Sequence, residues 1–156
     1  MKDDEFEQLY AAEAQNLFAF LAYRTGDRAL AEDLLADAFE RALRGKYNPR
    51  RGSARTWLYS IALNVLRDHA RRAAAEGRAY ARVGGPEPTD PLAGVEARDQ
   101  LARGLAVLSD EEREAIALRF GAELTVPELA SVLGVSLTTA EGRVYRALRK
   151  LREALA

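Results

Sequence analysis

Near the end of the chain, Arg143, Arg146, Arg149, Lys150 and Arg152 fall within ten residues that contain no acid. Cations spaced three and four apart share a side of a helix. Their chemistry is the capture of anions, phosphate above all. Just ahead stand Ser136, Thr138, Thr139 and Glu141, with Tyr145 among the arginines. Hydroxyls and a carboxylate there can hydrogen-bond base edges. A second basic set lies at residues 44–72, with eight basic side chains against one acid. It includes Lys46, Arg50, Arg51, Arg55, Arg67, Arg71 and Arg72, interleaved with Tyr47, Thr56, Tyr59, Ser60 and Asn64. Arginines neutralise phosphates, and a tyrosine ring can stack on an unpaired base. Residues 1–40 are opposite in sign, with ten acidic side chains against three basic. Asp33 and Asp37 are spaced i,i+4, but no cysteine, phosphate loop or nucleophile motif accompanies them. An acidic helix that faces solvent or a partner accounts for them better than paired catalytic carboxylates. His69, the only histidine, reads as a polar surface residue. No catalytic residue, metal site or cofactor is expected, and the chain does not read as an enzyme.

The net charge of −1 hides this asymmetry, and the asymmetry is what points to nucleic acid and to a basic partner surface. With 48% apolar residues over 156 positions, the chain can bury a core of one ordinary domain or two small ones. The opening MKDDEFEQLY lacks the order of a signal peptide. No apolar run approaches the roughly 20 residues that span a bilayer. A cytoplasmic protein without membrane insertion is the expectation.

The elements that must position these residues are all helical. Apolar residues recur at helical spacing over residues 4–24, with Phe6, Leu9, Tyr10, Leu17, Phe18 and Leu21. Gly26 and Asp27 punctuate, and residues 28–44 form a second helix with Leu30, Leu34, Leu35, Ala38, Phe39 and Ala42 inward. GKYNPRRG is a loop. Ser53 caps a third helix to about residue 72, with Trp57, Leu58, Ile61, Ala62, Val65 and Leu66 inward and Arg55, Thr56, Tyr59, Ser60, Leu63 and Asn64 on the opposite face. Residues 73–95 hold four glycines and three prolines and read as a flexible linker. Helices then follow at 96–108, from the SDEE box at 109–112 to about Phe120, and from the TVPE box at 125–128 to Gly134. Ser136 opens the last helix, whose core stripe reads as Ala140, Val144, Leu148, Leu151 and Leu155. The expectation is therefore all-α: a domain at 1–72, the linker, and a second domain at 96–156. A short helix, a glycine turn and a longer basic helix make that second domain a helix-turn-helix. On the residues alone, a self-sufficient regulator and a protein-interaction module remain open.

Taken together, GDRALAEDLLADAFERAL, WLYSIALNVLRDHARR and LSDEEREAIALRFGAELTVPELASVLGVSLTTAEGRVYRALRKLREAL are similar, in order and over nearly the whole chain, to the extracytoplasmic-function sigma factors of bacterial RNA polymerase. The resemblance implies that the first domain corresponds to sigma region 2 and the second to region 4. It implies core RNA polymerase and promoter DNA as partners, and in many relatives an anti-sigma factor clamped on both domains. By the same resemblance, Asp33, Leu34, Asp37, Glu40 and Arg41 dock on polymerase. Lys46, Tyr47, Arg50, Arg51, Arg55, Thr56, Tyr59, Ser60, Asn64, Arg67, Arg71 and Arg72 bind and open the minus-ten element. Ser136, Thr138, Thr139, Glu141, Arg143, Tyr145, Arg146 and Arg149 read the minus-thirty-five element. The chain departs from the family pattern at Ala36-Asp37, where relatives usually carry Gln-Glu. It departs again at Glu141-Gly142, where they carry Lys and then Ser or Thr.

A carboxylate on a groove-facing helix repels phosphate, so affinity is not its use; it can accept from cytosine N4, worth about 1–3 kcal/mol of discrimination. Glu141→Lys is therefore expected to change the base preferred at one position of the upstream element, with little loss of thermal stability. Selection from a randomised promoter pool measures this. The same upstream motif from both proteins would show that Glu141 reads no base.

Overall fold

The computed structural model describes residues 1–77 and 103–156. Among them every regular element is helical. The first three are α1 (Asp3–Thr25), α2 (Arg28–Arg44) and α3 (Ala54–Ala75). After helical residues 103–106 come α4 (Asp110–Ile116), α5 (Val126–Leu133) and α6 (Leu137–Leu155). The linker expected at 73–95 begins with three residues that extend α3, and from residue 78 it lies outside the described residues, as does the start of the helix expected at 96–108.

The boundaries follow the chemistry of the caps. α1 stops where Gly26 takes a left-handed conformation, φ 66°, and its N–H returns to Ala22 O. Asp27 then accepts from Leu30 N at 3.1 Å and starts α2. Ser53 caps α3 through Thr56 N at 3.1 Å. Ser109 and Thr125 each form a complete capping box, with Glu112 and Glu128 reaching back to the cap N–H groups. The helix expected to continue to Phe120 keeps α geometry only to Ile116. Residues Ala117–Gly121 widen into a π turn, closed by Ala122 N donating to Ala117 O at 3.0 Å.

α1, α2 and α3 pack on one another as the apolar stripes require, with the rings of Phe6 and Tyr10 meeting that of Phe39 edge-on and tilted. The two halves of the chain also meet. α1 also packs against the π turn and α3 against α5. One core cluster joins Leu17, Phe20, Leu21, Leu58 and Leu63 to Leu118, Leu124 and Leu129. This changes two readings of the sequence. Thr56, Tyr59 and Leu63, assigned to the open face of α3, are buried, because the second half of the chain covers that face. In α6 the buried line is Ala140, Val144 and Ala147, while Leu148 and Leu155 are exposed. Small Ala147 lets α6 approach Leu105, Leu108 and Ile116 closely, and Leu148 falls one residue beyond the contact.

Lys150 Nζ lies 2.7 Å from Glu112 Oε1 and so ties α6 to the cap of α4. Burial pushes the Glu112 carboxyl up, but hydrogen bonds from Lys150 and from the Ser109 N–H outweigh it and hold the group below its ordinary 4.5. A depressed carboxylate contributes stability above its unfolded value and loses it as pH falls through the folded one. Glu112→Gln should therefore melt below wild type at about pH 6, with the gap closing towards about pH 3. Thermal unfolding across that range measures it, and a gap independent of pH would contradict the linkage.

Candidate nucleic-acid interface

The loop between α2 and α3 is built by local hydrogen bonds. Asn48 Oδ1 accepts from Arg50 N at 3.0 Å and shapes the single turn Pro49–Arg51. Gly52 takes a φ of 146°, which favours glycine, and its carbonyl accepts from the Tyr47 hydroxyl at 2.7 Å. The Tyr47 ring then sits 5.4 Å from that of Trp57, centroid to centroid. Trp57, which its stripe placed in the core, is only partly buried and forms a wall of this loop. A cavity of about 500 Å³ opens here, lined by Lys46, Tyr47, Asn48, Arg51, Gly52, Ser53, Thr56, Trp57, Ser60 and Ser131. Two aromatic rings, two cations and several hydroxyls make a surface suited to an unpaired nucleotide. Sequence reasoning missed Ser131, which enters from α5, far away in the chain.

Along α3, Asn64, Arg67, Arg71 and Arg72 are exposed and Ser60 is partly buried. Arg67 reaches Glu114 at 3.4 Å. Asp68, the one acid of this block, pairs with Arg71 and with Arg41 Nη1, the latter at 3.1 Å. The hydrogen bond from Arg41, helped by Arg71, holds the Asp68 carboxyl below its ordinary range. Arg55 is turned away from solvent. Its guanidinium donates to Glu13, to both Glu128 oxygens at 3.3 Å, to Ala122 O at 2.9 Å and to Glu123 O at 3.3 Å. Tyr59 is fully buried against Phe20, with ring centroids 6.1 Å apart, and burial pushes its phenol up. The signal that could have revealed this arrangement is Glu13: it lies on the α1 stripe between Leu9 and Leu17, and an acid there requires a buried cation.

In the helix-turn-helix, Gly134 adopts φ 68° and ends α5. Ser136 caps α6 by accepting from Thr139 N at 3.1 Å, and its hydroxyl lies 2.9 Å from that of Thr139. Thr138, Glu141, Tyr145, Arg146 and Arg149 are exposed on one side of α6. Arg143 sits apart, mostly buried, with Nη2 3.8 Å from Glu111. Gly142 leaves room for the Arg146 guanidinium to fold back: a β-carbon there would lie 3.0 Å from Arg146 Nη1.

On α2, Glu32, Asp33 and Glu40 are exposed, and Asp37 is half-buried beside Arg41 at 3.3 Å. Leu34 is only 4% exposed and belongs to the core, so it does not share the acidic surface on which the family pattern placed it.

Residues 9–76 match the description Sigma-70 region 2, and residues 104–153 match Sigma-70, region 4. The chain is 34% identical over 161 residues to RNA polymerase sigma factor CarQ of Myxococcus xanthus, covering 97% of this chain and 90% of that one. It is 28% identical over 156 residues to the ECF RNA polymerase sigma factor SigM of Bacillus subtilis, covering 97% and 94%. Among solved structures, the fold resembles sigma factor RpoE in its complex with the anti-sigma factor NepR from Bartonella quintana. The TM-score is 0.77 at 23% identity, over 97% of each chain. It also resembles CnrH in complex with the cytosolic domain of CnrY, with a TM-score of 0.67 at 28% identity, over 99% of this chain and 89% of that one.

Gly45 sets how closely the aromatic loop approaches α2. A β-carbon there would fall 2.8 Å from a Trp57 ring carbon and 3.0 Å from the Arg41 backbone oxygen. Gly45→Ala should cost about 1–3 kcal/mol, the range for overpacking, and displace the Trp57 ring. Denaturant unfolding and tryptophan emission (Trp57 is the only one) report both; wild-type values for each would show that the loop yields freely.

Proposed function

The chain belongs to the extracytoplasmic-function group of RNA polymerase sigma factors, which direct core polymerase to promoters, and we propose how its surfaces divide that work. The aromatic cavity beside α3 takes an unpaired base of the minus-ten element. Lys46, Arg50, Arg51, Arg67, Arg71 and Arg72 hold the surrounding phosphates. The exposed side of α6 enters the major groove of the minus-thirty-five element, where Thr138, Glu141 and Tyr145 meet base edges and Arg146 and Arg149 meet phosphate. The exposed acids of α2 (Glu32, Asp33 and Glu40) dock on a basic surface of polymerase. The protein works in the cytoplasm as a transcription factor and not as an enzyme. An anti-sigma factor is a further partner on this reading, since the sigma factor RpoE of one similar structure is seen with the anti-sigma factor NepR.

The observation that carries this division is the Tyr47–Trp57 cavity, lined by Lys46 and Arg51, at the start of the helix whose exposed side carries Arg67, Arg71 and Arg72. Run-off transcription with bacterial core polymerase and a promoter library tests it as a whole. Asp33→Arg with Glu40→Arg reverses the acidic surface without touching the core. The pair should lower affinity for core polymerase at least about tenfold, as expected when like charges face each other across an interface, while helicity is unchanged. Pull-down of core enzyme equal to wild type would refute the docking surface.

A further inference from the structure

Gly142 stands inside the last helix, α6, where glycine is a poor choice, since it weakens a helix interior relative to alanine. The backbone does not call for it, because Gly142 is not among the glycines of positive φ. The core does not call for it either. Apart from the helix backbone and the two adjoining residues, the three heavy atoms nearest to a β-carbon built there all belong to Arg146. They are Nη1 at 3.0 Å, and Cζ and Nη2 at 3.7 Å. The space left by the missing side chain is therefore filled by one guanidinium. That space is at the middle of the exposed face. Thr138 and Thr139 lie one turn before Gly142, Tyr145 and Arg146 one turn after it and Arg149 two turns after it, and all five are exposed. Helical side chains lean towards the N-terminus of their helix. Arg146 takes that lean to its limit and lies across the preceding turn, about 6 Å nearer the start of α6 than its own Cα. Its charge is not engaged within the chain. Glu111 takes Arg143 and Glu112 takes Lys150, whereas no acid pairs with Arg146 among the described residues.

We infer that Gly142 is a positioning residue for sequence recognition: by leaving its place empty it brings the Arg146 guanidinium to the middle of the reading face, where Arg146 takes a guanine of the minus-thirty-five element. The proposal rests on the assignment of α6 to that element and refines it at Arg146. By its place in the helix alone, Arg146 belongs with the phosphate contacts. Drawn back over Gly142, its guanidinium stands level with Glu141 and one turn from Thr138, the residues that enter the groove first. Phosphate is satisfied by charge and any donor. The paired N–H groups of a guanidinium held in the groove also fit the two acceptors of guanine, O6 and N7. A side chain at 142 would occupy that place and turn the guanidinium outward, where it reaches only phosphate. The glycine thus sets which of two roles the same arginine fills.

Initiation by the full chain with bacterial core polymerase is measured across a promoter pool randomised in the upstream element. Wild type should prefer guanine at one position by about tenfold, the discrimination expected of one bidentate pair. Gly142→Ser and Gly142→Ala should each cut that preference to about twofold or less, with the other positions of the motif unchanged. Arg146→Ala should remove it. Gly142→Ser added to Arg146→Ala should change nothing further, because the glycine acts through the arginine. Serine and alanine both favour a helix over glycine, so neither Gly142 variant should melt below wild type. A preference lost without loss of stability separates positioning from a merely structural role; if one variant melts lower, the other decides. Guanine preference kept in both Gly142 variants overturns the proposal, and so does its survival in Arg146→Ala. A uniform loss at every sequence in Arg146→Ala, with the motif unchanged, makes Arg146 a phosphate contact and overturns it too. A wild-type pool without any upstream motif overturns the assignment of α6 itself. A motif that does not depend on Gly142 leaves that assignment standing and removes only the present inference.

Discussion

Glu13 and Arg55 are both largely withdrawn from water, and their pairing constrains everything around them. An isolated charge inside a protein is costly enough to be neutralised or excluded. Breaking a buried pair by removing one partner leaves the other uncompensated, a loss of about 3–5 kcal/mol. The pair sits where α1, α3 and α5 converge, with Glu128 completing the set. So α1 cannot rotate on its axis without losing Arg55, and α3 cannot slide without losing Glu13. The apolar residues Leu17, Phe20 and Leu21 supply the larger share of the burial, but such contacts are non-directional. The charges fix which arrangement of that apolar surface is adopted.

The same constraint organises the charge distribution. The acids of α1 and α2 that are not needed inside are mostly exposed, and so are the cations of the 46–72 block that are not engaged inside. Asp68, the single acid of the basic block, does not dilute it, because Arg41 and Arg71 already occupy that carboxylate. Glu111 and Glu112 similarly engage Arg143 and Lys150, leaving Arg146 and Arg149 as the cations displayed beside Thr138 and Glu141. The basic residues of the sequence thus divide by structural use. Arg55 and Arg143, withdrawn from solvent, neutralise acids of their own chain and hold helices together, while cations on the exposed faces stay open to solvent even where, as at Arg67 and Arg71, an acid lies beside them. A net charge of −1 says nothing about this division.

Helix starts were legible because each is a local event. Asp27, Ser53, Ser109, Thr125 and Ser136 all cap where a short polar side chain precedes an apolar period, and each is satisfied within three residues. The helix-turn-helix was legible for the same reason, through Gly134. What the sequence hid was partnership. Apolar periodicity assigns one buried stripe to a helix with one neighbour. α3 has neighbours on two sides, so Thr56, Tyr59 and Leu63 are buried together with Leu58, Ala62 and Leu66. On α6 the stripe through Leu148 has good spacing, but the helix packs through Ala147 because close approach to Leu105 and Ile116 favours the smaller residue. Leu34 shows the limit of carrying a motif over residue by residue: it stands among exposed acids in the sequence and points into the core.

The face of α3 that carries Arg55 and Tyr59 has the composition of a nucleic-acid surface and the burial of a core surface, and it cannot be both at one time. A tyrosine that existed only to fill the core would serve better as phenylalanine, since a buried hydroxyl without a partner is a net cost. An arginine that existed only to bind phosphate would not meet two carboxylates and two aligned carbonyls. In this structure Arg55 serves the fold: it is the cation that lets Glu13 and Glu128 be withdrawn from water, and Tyr59 packs beside it against Phe20.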